Sequence, residues 1–441
     1  MRITGSWRRA RLAALVAVPC TLAAFAAPAQ AIKSVEYHRG ITQVSNAKDG
    51  GDPQAIVTGP DGNLWFTEVF GRIGRITPSG VVTEFKGLPQ LVGGIAAGAD
   101  GALWFDETPL GDPVAGPGFI GRITTDGKVS TFTLPGFRND DVILPYDAAH
   151  SSLVAGPDGA IWFTNASTVL GGAETGKGFA TVGRLAADGT VKAFVPPYEP
   201  PSLPSQIVAG PDGALWYAEP GLAFSKGQGA VPSYGGIVRV TTGGQFRAFD
   251  LAHRNVFPLA LASGPDGALW FTDERGRIGR MTTTGRLKLF SLASLDVSAS
   301  HAIVRGPDGN LWFTAPHGQI GRITPSGFAT VFRTASRARD NDASAGLAVG
   351  PDRSLWMTEP TGPGVVKVVP PRGTCVVPRL VALPYGKAVS RLHRAGCNVG
   401  AVKVVQRRGG RELLRTTAVL RQGIAPGRRL PRESTVPLTV V

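Results

Sequence analysis

The phrase Gly59-Pro60-Asp61-Gly62-Asn63-Leu64-Trp65-Phe66-Thr67-Glu68 is followed by Gly71-Arg72-Ile73-Gly74-Arg75-Ile76-Thr77-Pro78-Ser79-Gly80, and the pair recurs down the chain. Its tryptophans count the copies: Trp65, Trp104, Trp162, Trp216, Trp270, Trp312 and Trp356. Repetition at a period of roughly 40 to 60 residues restricts the chain to repeat architectures. Within a copy, Leu64-Trp65-Phe66 is a short apolar run bounded by turn residues, which reads as a strand. Pro-Asp-Gly supplies a tight turn before it, because Pro presets φ and Gly tolerates a left-handed exit. Residues 73–77 read as a third strand, Pro78-Ser79-Gly80 as another turn and Val82-Thr83-Glu84-Phe85 as a fourth strand. Four short strands per unit, seven times over, predict an all-β chain forming a seven-bladed β-propeller.

The ends of the repeat region carry a further expectation. Ser34-Val35-Glu36-Tyr37 matches the fourth strand of a blade, whereas the seventh copy runs from Val365-Val366-Lys367-Val368 into Pro370-Pro371 without one. The N-terminal strand is therefore expected to complete the last blade and close the ring, leaving no open edge. Upstream, Arg8, Arg9 and Arg11 precede an apolar run from Leu12 to Ala26 and the small-x-small sequence Ala29-Gln30-Ala31. Residues 1–31 thus read as a signal peptide, with export as its consequence and no transmembrane segment.

Charge divides the chain. Residues 32–369 carry 28 basic and 30 acidic residues, whereas residues 370–441 carry 14 Lys and Arg against Glu412 and Glu433. A nearly neutral propeller with a basic tail fits anionic wall polymers or lipid headgroups. No nucleic-acid-binding motif is present, so no nucleic-acid partner is expected.

Turn length separates the two ends of the propeller. The turns after the first and third strands are short in every copy, whereas insertions fall at Thr108–Gly118, Ala166–Ala180, Pro220–Gly235, Gly136–Ala149 and Pro196–Pro204. These connections open on one face, where a rigid scaffold usually carries its binding residues. His38, His150, His253, His301 and His317 fall on or near it. Three other constellations recur in nearly every copy: the third-strand bases Arg75, Arg122, Arg184, Arg239, Arg280, Arg322 and Lys367, the acids three residues after tryptophan such as Glu68 and Glu359, and the turn aspartates. Recurrence around the ring points to turn capping and strand pairing, since a site for one ligand needs asymmetry.

Leu-Trp-Phe-Thr-Glu followed by Gly-Arg-Ile-Gly-Arg-Ile-Thr resembles the streptogramin B lyase (virginiamycin B lyase) family over residues 32–369. The resemblance implies opening of a cyclic depsipeptide by elimination at an ester linkage, with Mg²⁺, a histidine and acidic partners. His301 matches the family histidine. Gln54 stands where the family has tyrosine, and Ala343 and Ala345 replace a Glu-x-His pair, beside which Asp342 is a substitute carboxylate. Glu359 falls at the family's last glutamate and is the candidate metal ligand. Catalytic candidates are therefore His301 and Glu359, with Gln54, Glu68, Asp342 and His317 as binding candidates. Because a tyrosine and a histidine are replaced, binding of a small molecule or cell-wall fragment is the leading expectation and Mg²⁺-assisted carbon–oxygen lysis the alternative.

The tail holds Cys375 and Cys397, the two cysteines left after signal removal, and export favours a disulfide between them. Residues 388–395 have helical spacing ending at Gly396, and strands are expected at 399–405, 413–420 and 436–441. Cys375-Val376-Val377-Pro378, the Ala388-to-Gly400 pattern and Val436-Pro437-Leu438-Thr439-Val440 resemble a PASTA domain, a bacterial wall-associated module. The resemblance implies a small α+β domain over residues 370–441, a peptidoglycan-related partner and a secreted or wall-associated, monomeric bacterial protein.

Overall fold

A computed structural model describes residues 30–37, 41, 53–68, 71–88, 91–108, 119–134, 137–139, 142–144, 152–168, 178–197, 204–219, 235–295, 297, 301–336, 346–359, 364–404, 418–431 and 434–440. Seven antiparallel blades follow one another along the chain, and in six of them the first to fourth strands come in sequence order. Blade one is typical, with Pro53–Thr58, Leu64–Glu68, Arg72–Ile76 and Val82–Phe85. Blade seven takes Leu347–Val349, Leu355–Glu359 and Gly364–Val368 from the end of the repeats and Ser34–Tyr37 from the front, with Tyr37 opposite Val365. Closure by the N-terminal strand is thus as expected. Just ahead of it, Gln30–Ala31 runs parallel to the outer strand of blade six.

Alternation along the second strand builds the packing between blades. Leu64 and Phe66 bury against Trp356 and Val365 of blade seven, while Trp65 buries against Ile95, Leu103 and Phe105 of blade two. Each tryptophan packs on the aromatic residue of its own fourth strand, stacked in six blades, as Trp65 is on Phe85 at 5.2 Å between ring centroids, and tilted between Trp104 and Phe132. In blade seven that partner is Tyr37, 5.6 Å from Trp356. Such a pair contributes about 0.5–1.5 kcal/mol beyond its buried area. Two glycines show what this packing demands. A Cβ at Gly74 would stand 2.1 Å from the Phe66 ring, and Gly62 holds the turn at φ +73°.

The recurrent polar residues form one device. In six blades the indole N–H of tryptophan donates to the turn aspartate at 2.9–3.0 Å, as Trp216 does to Asp212. The other carboxylate oxygen accepts from the third-strand arginine at 2.5–2.7 Å in blades two to five. Burial pushes these carboxyls up, yet the hydrogen bonds from tryptophan and arginine outweigh it and hold Asp100, Asp158, Asp212 and Asp266 below the ordinary value. Turn aspartate and third-strand base therefore serve the scaffold, as their recurrence indicated.

Blade seven departs from this pattern. Its turn reads Gly350-Pro351-Asp352-Arg353, and Asp352 accepts from Ser354 and pairs with Lys367. Among the described residues Trp356 Nε1 is buried without an acceptor, at a cost of about 1–3 kcal/mol. Arg353 holds φ at 63° where the other turns have glycine, which costs a side-chain-bearing residue roughly 1–2 kcal/mol.

Insertions at the other end are partly ordered as sheet. In blade three the ladder continues from Ala166–Ala180 to Thr168–Gly178, so part of an expected loop is a longer hairpin. Phe137–Asn139 and Val142–Leu144 pair as a separate hairpin. Most of the remaining insertions, with His38 and His150, lie outside the described residues.

After Pro371 the chain buries a separate apolar cluster containing Cys375, Leu380, Ala388, Leu392, Cys397, Val436 and Leu438. Cys375 and Cys397 are joined as a disulfide. Helix Tyr385–Arg394 ends at Gly396, whose φ is 72°. Asn398–Val404, Thr435–Val440 and Val419–Gln422 form a mixed sheet, and Thr374–Val376 pairs with Arg429–Pro431. The strand expected at 413–420 begins at Val419 among the described residues, and the pair at 374–376 and 429–431 was not foreseen. The tail docks on blade six. Arg322 Nη2 donates to Ser434 Oγ at 3.2 Å in a buried contact. Arg322 is 1% exposed, against 26–28% for its counterparts in blades one to five.

Asp212→Ala removes the acceptor of both Trp216 and Arg239 and is expected to destabilise the protein by about 2–3 kcal/mol in urea denaturation. Because the carboxyl is depressed in the folded state, its contribution is present above the ordinary value of 3.8 and is lost as the pH falls below it. A change under about 0.5 kcal/mol at pH 7, or one that does not shrink as the pH is lowered below 3.8, would contradict this role.

Candidate functional site

Blades six, seven and one are neighbours, and Thr358 seals the last junction. Its Oγ1 accepts from Gly346 N at 2.8 Å and donates to Gln54 O at 2.6 Å. Thr67 makes the equivalent bridge from blade one to blade two, accepting from Ala55 N and donating to Gly93 O. A threonine two residues after tryptophan thus ties one first strand to the next and holds the channel wall rigid. The Gln54 backbone belongs to this belt, and its side chain is half-buried.

His301 stands just before the first strand of blade six, Ile303–Arg305. Its backbone N–H donates to Thr314 Oγ1 at 3.3 Å, which fixes the main chain while the imidazole remains exposed. His317 lies further out, in the turn joining Leu311–Ala315 to Gln319–Ile323, exposed and with φ at 59°. His253 is also exposed, 3.7 Å from Asp250. Asp342 lies outside the described residues.

The two glutamates end second strands, one row out from the channel, and both are buried. Glu359 is 2% exposed and Glu68 0%. Glu359 faces Gly364 in the ladder, while Glu36 faces Val366 two residues on, so the glycine leaves room for the two carboxyls to meet. Burial first, and then the hydrogen bond and charge of Glu36, push Glu359 up to about 8, against the opposing pull of Ser336. In blade one, burial and then Glu84 push Glu68 up to about 8, although Arg72, 3.8 Å away, and Lys86 oppose the shift. Asp273 at the same position in blade five accepts from Phe257 N and pairs with Arg277.

The structure therefore brings His301, Gln54 and Glu359 to adjoining blades at the end bearing the insertions. Glu359 and Glu68 hold a proton to higher pH than a free glutamate does, which suits them to donating one. No group of three His, Cys, Asp or Glu able to hold a metal occurs among the described residues. Among the described residues, Glu359 thus has no set of ligands around it for the Mg²⁺ expected there, and Asp342 lies outside them. Glu36 and Ser336 were missed as partners of Glu359, although the alignment of Glu36 with Glu84 in the fourth strand was a signal for the first.

A profile of the virginiamycin B lyase family matches residues 23–219 and 232–376. The chain is 29% identical to the virginiamycin B lyase of Nocardia farcinica (strain IFM 10152) over 262 residues, 58% of this chain and 75% of that protein. A streptogramin B lyase structure superposes with a TM-score of 0.58 at 26% identity, covering 77% of this chain and 97% of the other. A catalytically inactive histidine-to-alanine virginiamycin B lyase from Staphylococcus aureus, solved with quinupristin, superposes with a TM-score of 0.57 at 27% identity, covering 77% and 99%.

Glu359→Gln tests the carboxyl pair. Because the folded-state value is raised, the Glu359 contribution is fully present below the ordinary 4.5 and is lost as the pH rises toward about 8. The variant is expected to gain stability relative to the parent between pH 5 and 9 in denaturant titrations. A difference that does not change with pH would show that the pair does not share a proton.

Proposed function

The chain belongs to the virginiamycin B lyase family, and on that premise we propose that it binds a cyclic ester-containing peptide, or a small molecule or cell-wall fragment of similar size, where blades six, seven and one adjoin. The observation that carries this reading is His301, an exposed imidazole on a hydrogen-bonded main chain at the end of the propeller that bears the insertions. The relative solved with quinupristin supports the ligand class. A binding role leads because the other polar groups of the site are committed: Glu359 to Glu36 and Ser336, Glu68 to Arg72.

His301 also favours a second reading, carbon–oxygen lysis. In that reaction His301 takes the proton from Cα, a Cα=Cβ double bond forms, the Cβ–O bond breaks and the ester carboxylate leaves. A buried acid kept protonated near neutral pH is suited to donating a proton to a leaving group, and Glu359 has that property.

The same proposal places the protein outside the cytoplasm as a monomer, with the tail as a PASTA-like wall-associated module. The signal-like segment 1–31 supports export, as does the Cys375–Cys397 disulfide, because such bonds persist in oxidising compartments.

Purified protein titrated with quinupristin in a calorimeter and then followed by mass spectrometry separates the readings. Binding without ring opening, weakened by His301→Ala, supports the leading one. Ring opening that falls by about 10²–10⁴ in His301→Ala supports lysis. Neither binding nor opening by a folded protein would overturn both.

A further inference from the structure

The end of the propeller opposite the insertions holds a cleft of about 640 Å³ between the first turns of blades six and seven and the start of the tail. Pro307, Asp308 and Arg353 line it from the propeller, and Pro370, Arg372 and Arg429 from the tail. Its volume lies within the range of small-ligand sites. Three arginines therefore face one acid. Asp308 is already engaged, accepting from Trp312 Nε1 at 2.9 Å and lying 3.8 Å from Arg322.

Each arginine has a structural reason for being there. Arg429 precedes buried Leu430 in the strand paired with Thr374–Val376, so alternation turns it away from the tail's core and toward the cleft. Arg372 is exposed on the linker. Arg353 occupies the positive-φ corner where Gly62, Gly101, Gly159, Gly213, Gly267 and Gly309 stand in the other six turns, and its guanidinium donates to Pro307 O of blade six at 2.5 Å. A glycine there would relieve the backbone. Strain retained at one turn out of seven, at the turn that borders the cleft, marks that position for a ligand.

We propose that this cleft is an anion site that takes a phosphodiester-linked polyol chain. Arginine forks match phosphate oxygens, and the proline walls give uncharged contact area between charges. Arg379, Arg421 and Arg428 of the tail are also exposed. Nucleic acid is disfavoured because, among the described residues, no aromatic side chain lines the cleft for bases to stack on. This site stands apart from the one around His301, so its test is independent of the reading given above.

The test is fluorescence anisotropy of the full chain with a fluorescein-labelled glycerol phosphate decamer at 0.15 M salt. Arg353→Gly is expected to weaken binding about fivefold, the upper range for one exposed ion pair, while raising the melting temperature, so misfolding cannot explain the loss. Arg353→Gly with Arg372→Ala should weaken it by about 20-fold or more. The helix pair Arg391→Ala/Arg394→Ala removes the same charge from the exposed surface outside the cleft and should change affinity less than twofold. An equal loss in that control, no binding by the parent chain, or tighter binding of a DNA strand with the same number of phosphates would each overturn the proposal.

Discussion

An indole buried between blades must still place its N–H, and the propeller depends on how that is done. In six blades the tryptophan four residues after the turn aspartate donates to it, and in four of these a third-strand arginine closes the other side of the carboxylate at 2.7 Å or less. One acid thereby links the first turn, the second strand and the third strand of its blade. The ring also packs on the neighbouring blade, so local satisfaction and long-range burial are achieved by the same residues.

Departures from that pattern lie where the ring closes and where the tail attaches. Blade seven, completed by the N-terminal strand, replaces phenylalanine by Tyr37 in the stack, diverts Asp352 to Ser354 and leaves Trp356 without an acceptor among the described residues. Blade six has a covered arginine, Arg322, whose guanidinium meets Ser434 of the tail instead of solvent. Stability given up at these places coincides with junctions between parts of the molecule, which is where natural structures commonly tolerate it.

The end bearing the insertions follows another logic. Acids at the close of the second strands are shut inside the ring and differ in what they meet: a cation in blades one and five, a second carboxyl in blade seven. Their chemistry is set by the third and fourth strands of the same sheet. His301 stands at the inner row, whereas Glu359 is pushed up by burial and then by Glu36, a residue from the other end of the chain.

Sevenfold repetition, strand order, the borrowed strand and the cysteine pair could all be read from residues in order, because turn chemistry and apolar alternation act over a few positions. The sequence also indicated that the turn aspartates and third-strand bases served the frame, since a feature present in every copy cannot distinguish one ligand site. What each acid faces was not legible. Glu36 and Glu359 are neighbours only because the ring closes, and Arg353, Arg372 and Arg429 share a cleft only because the tail docks on blade six. Burial and proximity of charges arise between segments distant in the chain, so the tertiary structure alone decided which groups hold protons and which gather to meet an anion.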